Sequence, residues 1–380
     1  MSSLIEYLRA FFTKPEPHQP LSSGFYSYHT PEGEVPQYRL HLRIEKDGEG
    51  IMVVNASSVL HLNQTATEFA YLLMHGKSVN EVSEEISRRF KAPSEQIRKD
   101  VASFQEQIHN FIMRSDQEPI TSFGFEPHLD IQDISAPYRL DCCLTYRHDE
   151  SSQPAGELNT EDWRKIIQKS FEIGIPQLIF FGGEPTLRPD LQDLLASAEE
   201  LGLVTGLVSN GPKLEDTAFV QGLITSGLDH LVFERVPDNS GQENALRGIL
   251  PLDLYTCVEV NLDLEENAVD TIDHLASLGA NAFSIHYKSQ NSQQPYLRVL
   301  EHLEEAGLRL VSDNPVPLAG EPETAPASEA IPGPSAYVTL RVLPNGDVLC
   351  GDGSNIRMGN ILHEDWKQIW DRRVTTNEIG

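Results

Sequence analysis

The sequence predicts an α/β protein: a parallel βα array, preceded by a winged helix-turn-helix and followed by a small α+β extension. Three observations predict it. Between residues 137 and 312, six apolar strand stretches alternate with six helical stretches. Gly174, Gly202, Gly227, Gly279 and Gly307 each end a helical stretch, as glycines in the left-handed position after a helix do. Proline-rich stretches at 13–37, 116–136 and 313–335 cut the chain into segments.

The chain has 380 residues, room for two or three domains at roughly 100–200 residues each. Hydrophobic residues at 39% and charged residues at 23% suit packed cores and exclude a wholly disordered chain. Lys and Arg number 29 against 57 Asp and Glu, a net charge of −28. Such a chain repels phosphate backbones and anionic lipid, and no basic patch offsets this, so nucleic-acid and membrane-surface binding are excluded classes. Four cysteines (142, 143, 257, 350) and no apolar run of about 18 residues point to a reducing cytosol.

Residues 1–37 read as a short amphipathic helix (Leu4, Ile5, Leu8, Phe11, Phe12) and a loop. Residues 38–115 open with alternating apolar residues at Tyr38, Leu40, Leu42 and Ile44, then an Asp47-Gly48 turn and a strand at Ile51–Val54. Val59, Leu60 and Leu62 suggest a third strand. Three helices follow, over Thr65–Met74, from a Ser78-x-x-Glu81 capping box, and from Ser94, the last with Ile97, Val101, Phe104, Ile108 and Ile112 at spacings of 3 and 4. Small strands plus three helices make the winged helix-turn-helix. Glu81, Glu84 and Glu85 on the helix that would approach a DNA groove argue against DNA.

Residues 116–136 read as a linker. In the array, strands are expected at 138–146, 177–182, 203–209, 228–234, 255–262 and 281–287, with helices at 160–174, 189–202, 214–227, 241–249, 265–279 and 292–307. Six βα units imply a parallel sheet covered on both faces or a partly closed barrel. Either places ligands at the C-terminal strand ends. There lies Phe181-Gly182-Gly183-Glu184-Pro185-Thr186: two glycines permit close approach, Glu184 is an acceptor and Pro185 stiffens the turn. Ser209-Asn210-Gly211 ends the next strand in the same layer. After a Pro-rich linker at 313–335, residues 336–380 hold Leu340–Leu343, a Pro344-Asn345-Gly346-Asp347 hairpin turn, Val348–Cys350 and a Trp366–Trp370 helix.

Segment 38–115 resembles the PqqD-like peptide-recognition domain, the RiPP recognition element, through Gly50–Val54, Val59–Ala66 and Lys77–Val82. The resemblance implies that a leader peptide adds a strand to the edge near Ser57–Leu62 and lies against the last helix. Its contacts would be Val59, Leu60, His61, Leu62, Ile97, Val101 and Phe104. Segment 137–312 resembles the radical S-adenosylmethionine superfamily through Tyr146-Arg147, Gly156–Trp163, Gly182–Asp190 and Ser209–Gly211. This implies a partial (β/α)6 barrel in which Gly182, Gly183, Glu184, Pro185, Ser209 and Asn210 meet S-adenosylmethionine. That family holds a [4Fe–4S] cluster on Cys-x3-Cys-x2-Cys. Here those places hold His148, Ser152 and Ala155. The C-terminal segment resembles the SPASM or twitch extension, but only Cys350 stands where that module has several cysteines. The expectation is a pseudoenzyme with no iron–sulfur cluster and weak S-adenosylmethionine binding. It would present a precursor peptide to a partner, an active radical enzyme of its own kind. An active peptide-modifying enzyme and a regulatory S-adenosylmethionine sensor are the alternatives.

Overall fold

Strand formation begins earlier than the proline count suggests. The structure, a computed structural model, describes residues 21–31, 38–55, 58–90, 93–113, 134–149, 156–287, 289, 292–311, 339–350 and 356–376. The expected N-terminal helix and most of both linkers lie outside these residues. The chain divides into two units, Met1–Leu129 and Asp130–Gly380.

In the first unit, β1 (Gly24–His29), β2 (Arg39–Ile44), β3 (Gly50–Val54) and β4 (Ser58–Leu62) form an antiparallel sheet in that order. The expected loop at 24–29 is instead the strand β1. Tyr26 and Tyr28 alternate against the core, a pattern hidden by the surrounding prolines. Helices α1 (Gln64–Met74), α2 (Val79–Phe90) and α3 (Ser94–Met113) cover one sheet face. Asn63 caps α1, accepting from Ala66 N at 2.9 Å. The expected capping box opens α2: Ser78 N and Oγ both donate to Glu81 Oε2, at 2.8 and 2.6 Å. Leu42, Met52, Leu60 and Leu62 from the sheet meet Phe69, Val82, Ile86, Ile97, Val101 and Phe104 in one core.

The second unit is a mixed α/β body whose elements follow the expected order. β5 (Arg139–Cys143), α4 (Thr160–Ile173), β6 (Gln177–Phe181), α5 (Leu191–Glu200), β7 (Val204–Ser209) and α6 (Thr217–Thr225) come first. Next come β8 (His230–Glu234), α7 (Ser240–Ile249), β9 (Tyr255–Asn261), α8 (Ala268–Leu278), β10 (Ala282–His286) and α9 (Gln293–Glu305). β5 to β10 pair in parallel, neighbour to neighbour. Gly174 and Gly279 cap α4 and α8 at φ of 92° and 108°, which accounts for the glycine pattern.

The C-terminal segment joins the same sheet. β11 (Thr339–Val342) pairs in parallel with β5, and β12 (Asp347–Cys350) and β13 (Arg357–Asn360) follow antiparallel. The sheet order is β10-β9-β8-β7-β6-β5-β11-β12-β13. The expected hairpin turn is present, with Gly346 at φ 84° and Leu343 N bonded to Asp347 O at 2.8 Å. Helix α10 (Trp366–Thr376) stacks Trp366 on Trp370 and ties down the chain ahead of β5: Trp370 Nε1 donates to Ile134 O at 2.7 Å, Trp366 Nε1 to Ser135 O at 3.2 Å. Among the described residues no helix is long and apolar enough to cross a membrane.

Candidate functional sites on the parallel sheet and the edge strand

Alternate strand residues point to one face. Cys143, Ile179, Phe181, Val208, Val232, Cys257 and Ala282 form one cluster, so they mark one face of the parallel sheet. Two residues further along their strands, on the same face, stand Glu234, Glu259 and Ser284, with His286 next on β10. This polar row lies at the C-terminal strand ends, where a parallel αβ array places its ligands.

The turn after β6 belongs to that end. Gly182 and Gly183 have φ of 92° and 50°. An added Cβ at Gly182 would collide with Cys143 Sγ, and one at Gly183 with the backbone of Arg147. Both glycines therefore admit the chain's own loop after β5, which Glu184 N clasps by donating to Arg147 O at 2.6 Å. Glu184 itself is buried. Its Oε1 accepts from Thr186 N at 2.9 Å, Thr186 Oγ1 at 2.6 Å and Ser209 Oγ at 2.8 Å, and its Oε2 from Asn210 N at 3.2 Å. The carboxylate is a strut joining the end of β6 to the end of β7. Pro185 starts a short 3-10 turn. Of the six residues expected to act together, Gly182 to Pro185 with Ser209 and Asn210, Glu184 bonds to both Ser209 and Asn210, which joins the two turns.

Asn210 continues the network, its Nδ2 reaching Glu234 Oε2 at 3.5 Å. Glu234 lies opposite Glu259 in the strand register, and Glu259 opposite Ser284. Burial pushes the Glu234 carboxyl up to about 7, with Glu259 and Glu184 adding to the shift. Burial also raises Glu259, against the opposing pull of His286, whose Nε2 stands 3.7 Å away and also 2.8 Å from Ser284 Oγ. Glu234 can therefore hold a proton near neutral pH. Sequence reading missed the row; the available signal was a lone glutamate in each of the apolar strands His230–Glu234 and Tyr255–Asn261.

A carboxyl with a raised native pKa favours the fold while protonated, and this contribution is lost as pH rises from its ordinary value of 4.5 to about 7. The Glu234→Gln variant is expected to match the parent near pH 4.5 and exceed it above pH 7. The gain is at most about 3 kcal/mol, since each pH unit between those two values contributes ~1.4 kcal/mol. Thermal melts of both proteins from pH 4.5 to 8.5 check it; parallel curves would refute it.

The loop after β5 is where a cluster would sit. Glu157 holds it, Oε1 accepting from Thr145 Oγ1 at 2.9 Å and Tyr146 N at 2.6 Å, while Arg188 Nη1 donates to Leu144 O at 3.0 Å. His148 is exposed beyond it; Ser152 and Ala155 lie outside the described residues. Cys142 and Cys143 are fully buried on opposite faces, and burial pushes the Cys143 thiol up to about 12. This donor set does not supply the three thiolates a [4Fe–4S] cluster takes.

The second candidate site is the edge strand β4. Glu45 N bonds to Glu49 O at 2.8 Å and Asn55 N to Arg39 O at 3.0 Å, so the odd-numbered residues of β3 bond to β2. Its even-numbered residues then face β4, where they pair with Ser58, Leu60 and Leu62. The backbone N–H and C=O of Val59 and His61 therefore point away from β3. Leu60 and Leu62 are buried in the core. Ile97, Val101 and Phe104, expected beside the bound peptide, are core residues too. Their spacing of 3 and 4 signals burial, and the helix spends it on the domain's own interior. Of the three, Phe104 reaches a pocket, shared with Asn63, Thr65, Ala66, Phe69, Asp100, Ser103 and Gln107.

Similarity to known proteins is partial in sequence and broader in fold. Residues 50–110 match the family described as coenzyme PQQ synthesis protein D (PqqD). Proteins named PqqA peptide cyclase are similar over part of their length. That of Granulibacter bethesdensis is 40% identical over 75 residues, 20% of each chain. That of Bradyrhizobium diazoefficiens is 33% identical over 155 residues, 39% of this chain and 40% of the other. The chain thus matches a fifth to two fifths of the length of these relatives. The Streptococcus suis SuiB structure bound to S-adenosylmethionine superposes with a TM-score of 0.57 at 16% identity, covering 91% of this chain and 88% of that one. SuiB bound to its precursor peptide SuiA gives 0.55 at 15%, covering 87% and 86%. The chain carries a PqqD-like domain over residues 50–110 and shares the fold of SuiB. The PqqD-like domain contains β4.

Proposed function

We propose that this protein binds the leader of a precursor peptide through its PqqD-like domain and presents the peptide to a partner maturase. On this reading the first unit is a winged helix-turn-helix recognition element, the parallel array a partial (β/α)6 barrel, and β11 to α10 its SPASM-like extension. The barrel is catalytically degenerate, the protein works in the cytosol, and the partner is an active radical enzyme. The observation that carries the proposal is the edge strand: among the described residues β4 ends the sheet order, and Val59 aims its backbone groups away from β3. Strand addition draws its affinity from such main-chain bonds and its selectivity from side-chain pockets. The PqqA peptide cyclase relatives and the SuiB–SuiA complex support a peptide as the occupant. His148, Ser152 and Ala155 in place of cysteines support the loss of the radical step.

The test is proline at Val59. Its N–H lies outside the β3 ladder, so proline there spares the domain's own bonds and removes an outward donor. The full-length Val59→Pro variant is expected to lose at least ten-fold in affinity for the precursor leader encoded beside the gene, while Val59→Ala, which keeps the donor, stays within about three-fold. Calorimetric titration measures both. Parent protein that ignores the leader at high micromolar concentration would overturn the proposal.

A second reading draws on the Glu184 network and the SuiB complex with S-adenosylmethionine. The intact turn supports a protein that still binds S-adenosylmethionine as a regulator. With no iron to chelate the methionine portion, the remaining hydrogen bonds each net roughly 0.5–1.5 kcal/mol. Weak binding is expected on the first reading, and submicromolar binding would favour the second.

A further inference from the structure

The pocket beside β4 has a chemistry of its own. Its floor is apolar, made of Ala66, Phe69 and Phe104, with the two phenylalanine rings edge to face at 6.0 Å. Its rim is polar: Asn63, Thr65, Ser103 and Gln107, all exposed, and Asp100. Asp100 is the one charged residue in the lining, and Gln96 Nε2 holds one of its oxygens at 2.8 Å, orienting the carboxylate. At about 260 Å³ the pocket falls below the ~300–1,000 Å³ of small-molecule sites, so it suits a single side chain.

Its position fits an added strand. Cross-strand partners share a face, so the residue opposite Leu62 turns to the side Leu62 occupies, toward the helices. The pocket opens there, starting at Asn63, the residue after β4 ends. A long side chain with an apolar stem and a cationic tip lays the stem on Phe69 and Phe104 and brings the tip to Asp100, as lysine and arginine stems do on apolar surface.

We infer that this pocket reads a lysine or arginine of the bound peptide, with Asp100 as the residue that sets the preference. The inference rests on the proposed strand addition at β4 and names the chemistry of its occupant. An acidic side chain would face the Asp100 carboxylate, so the site discriminates by repulsion as well as attraction.

The probe is a displayed library of random 12-residue peptides, selected against the full-length parent, Asp100→Lys and Val59→Pro. Asp100 is exposed on α3, so its exchange spares the core, and thermal melts verify that each variant folds. Expected is a parent consensus with lysine or arginine at one fixed position, lost with Val59→Pro and changed to aspartate or glutamate there with Asp100→Lys. Synthetic consensus peptides should then lose about ten-fold in affinity for the parent when that residue becomes alanine. A consensus that depends on Val59 yet lacks a fixed basic residue, or survives Asp100→Lys unchanged, overturns the pocket assignment and leaves strand addition standing. No enrichment on the parent, or enrichment indifferent to Val59→Pro, overturns both.

Discussion

Glu184→Ala is expected to be among the most destabilising single changes in this chain. Four donors end on one buried carboxylate: two from Thr186, one each from Ser209 and Asn210. Truncation leaves them facing a void. Gly211 has no side chain to fill it, since its Cβ position already abuts the Glu184 carboxyl. Each hydrogen bond to a charged group is worth about 1.5–3 kcal/mol, and a stranded buried donor costs about 1–3. With partial rescue by water, the loss is about 3–5 kcal/mol, or roughly 10 °C for a unit of this size. Glu184→Gln should lose less, because its carbonyl still accepts while its amide meets the Asn210 N–H as a second donor. Thermal unfolding of the three proteins at pH 7 checks this. A Glu184→Ala protein that melts with the parent would show that the carboxylate is not a strut.

That strut marks how far the sequence could be read. The βα alternation was legible because each strand is an apolar run and helices such as α4 and α8 stop at a glycine with positive φ. The Gly182–Pro185 turn was legible as a motif, but its bonding was not: two of the partners of Glu184, Ser209 and Asn210, lie 25 and 26 residues away, brought near by the pairing of β6 with β7. Glu234 and Glu259 meet for the same reason, through a register no local pattern encodes. Pairing of β11 with β5 spans about 200 residues and was equally hidden. In the first unit, periodicity identified Ile97, Val101 and Phe104 as an apolar stripe without telling a packed core from an open groove. Asp100 and Ser103, on the polar side of the same helix, line the pocket instead.

Reconstitution with iron and sulfide under anaerobic conditions is expected to leave the protein without stoichiometric iron. A [4Fe–4S] cluster of the radical S-adenosylmethionine superfamily takes three thiolates from one loop and leaves one iron open. The corresponding places hold an imidazole, a hydroxyl and a methyl group, at His148, Ser152 and Ala155. Softer thiolate donors hold such iron far better than a lone imidazole. Cys143 cannot substitute: it is buried, and a thiol pushed up to about 12 gives up its proton reluctantly. Cys142 is fully buried on the opposite face of β5. Cys350, half-buried on β12, is one thiolate and cannot hold a cluster. Iron analysis should therefore give well under one iron per chain, against about four for a loaded cluster. Restoring thiolates sharpens the test. A triple variant, His148→Cys, Ser152→Cys and Ala155→Cys, supplies the Cys-x3-Cys-x2-Cys spacing in the stretch that follows Tyr146. If the loop is otherwise intact, that variant gains iron and the parent does not. A parent that loads about four iron per chain would end the pseudoenzyme reading and make a working radical enzyme the better account.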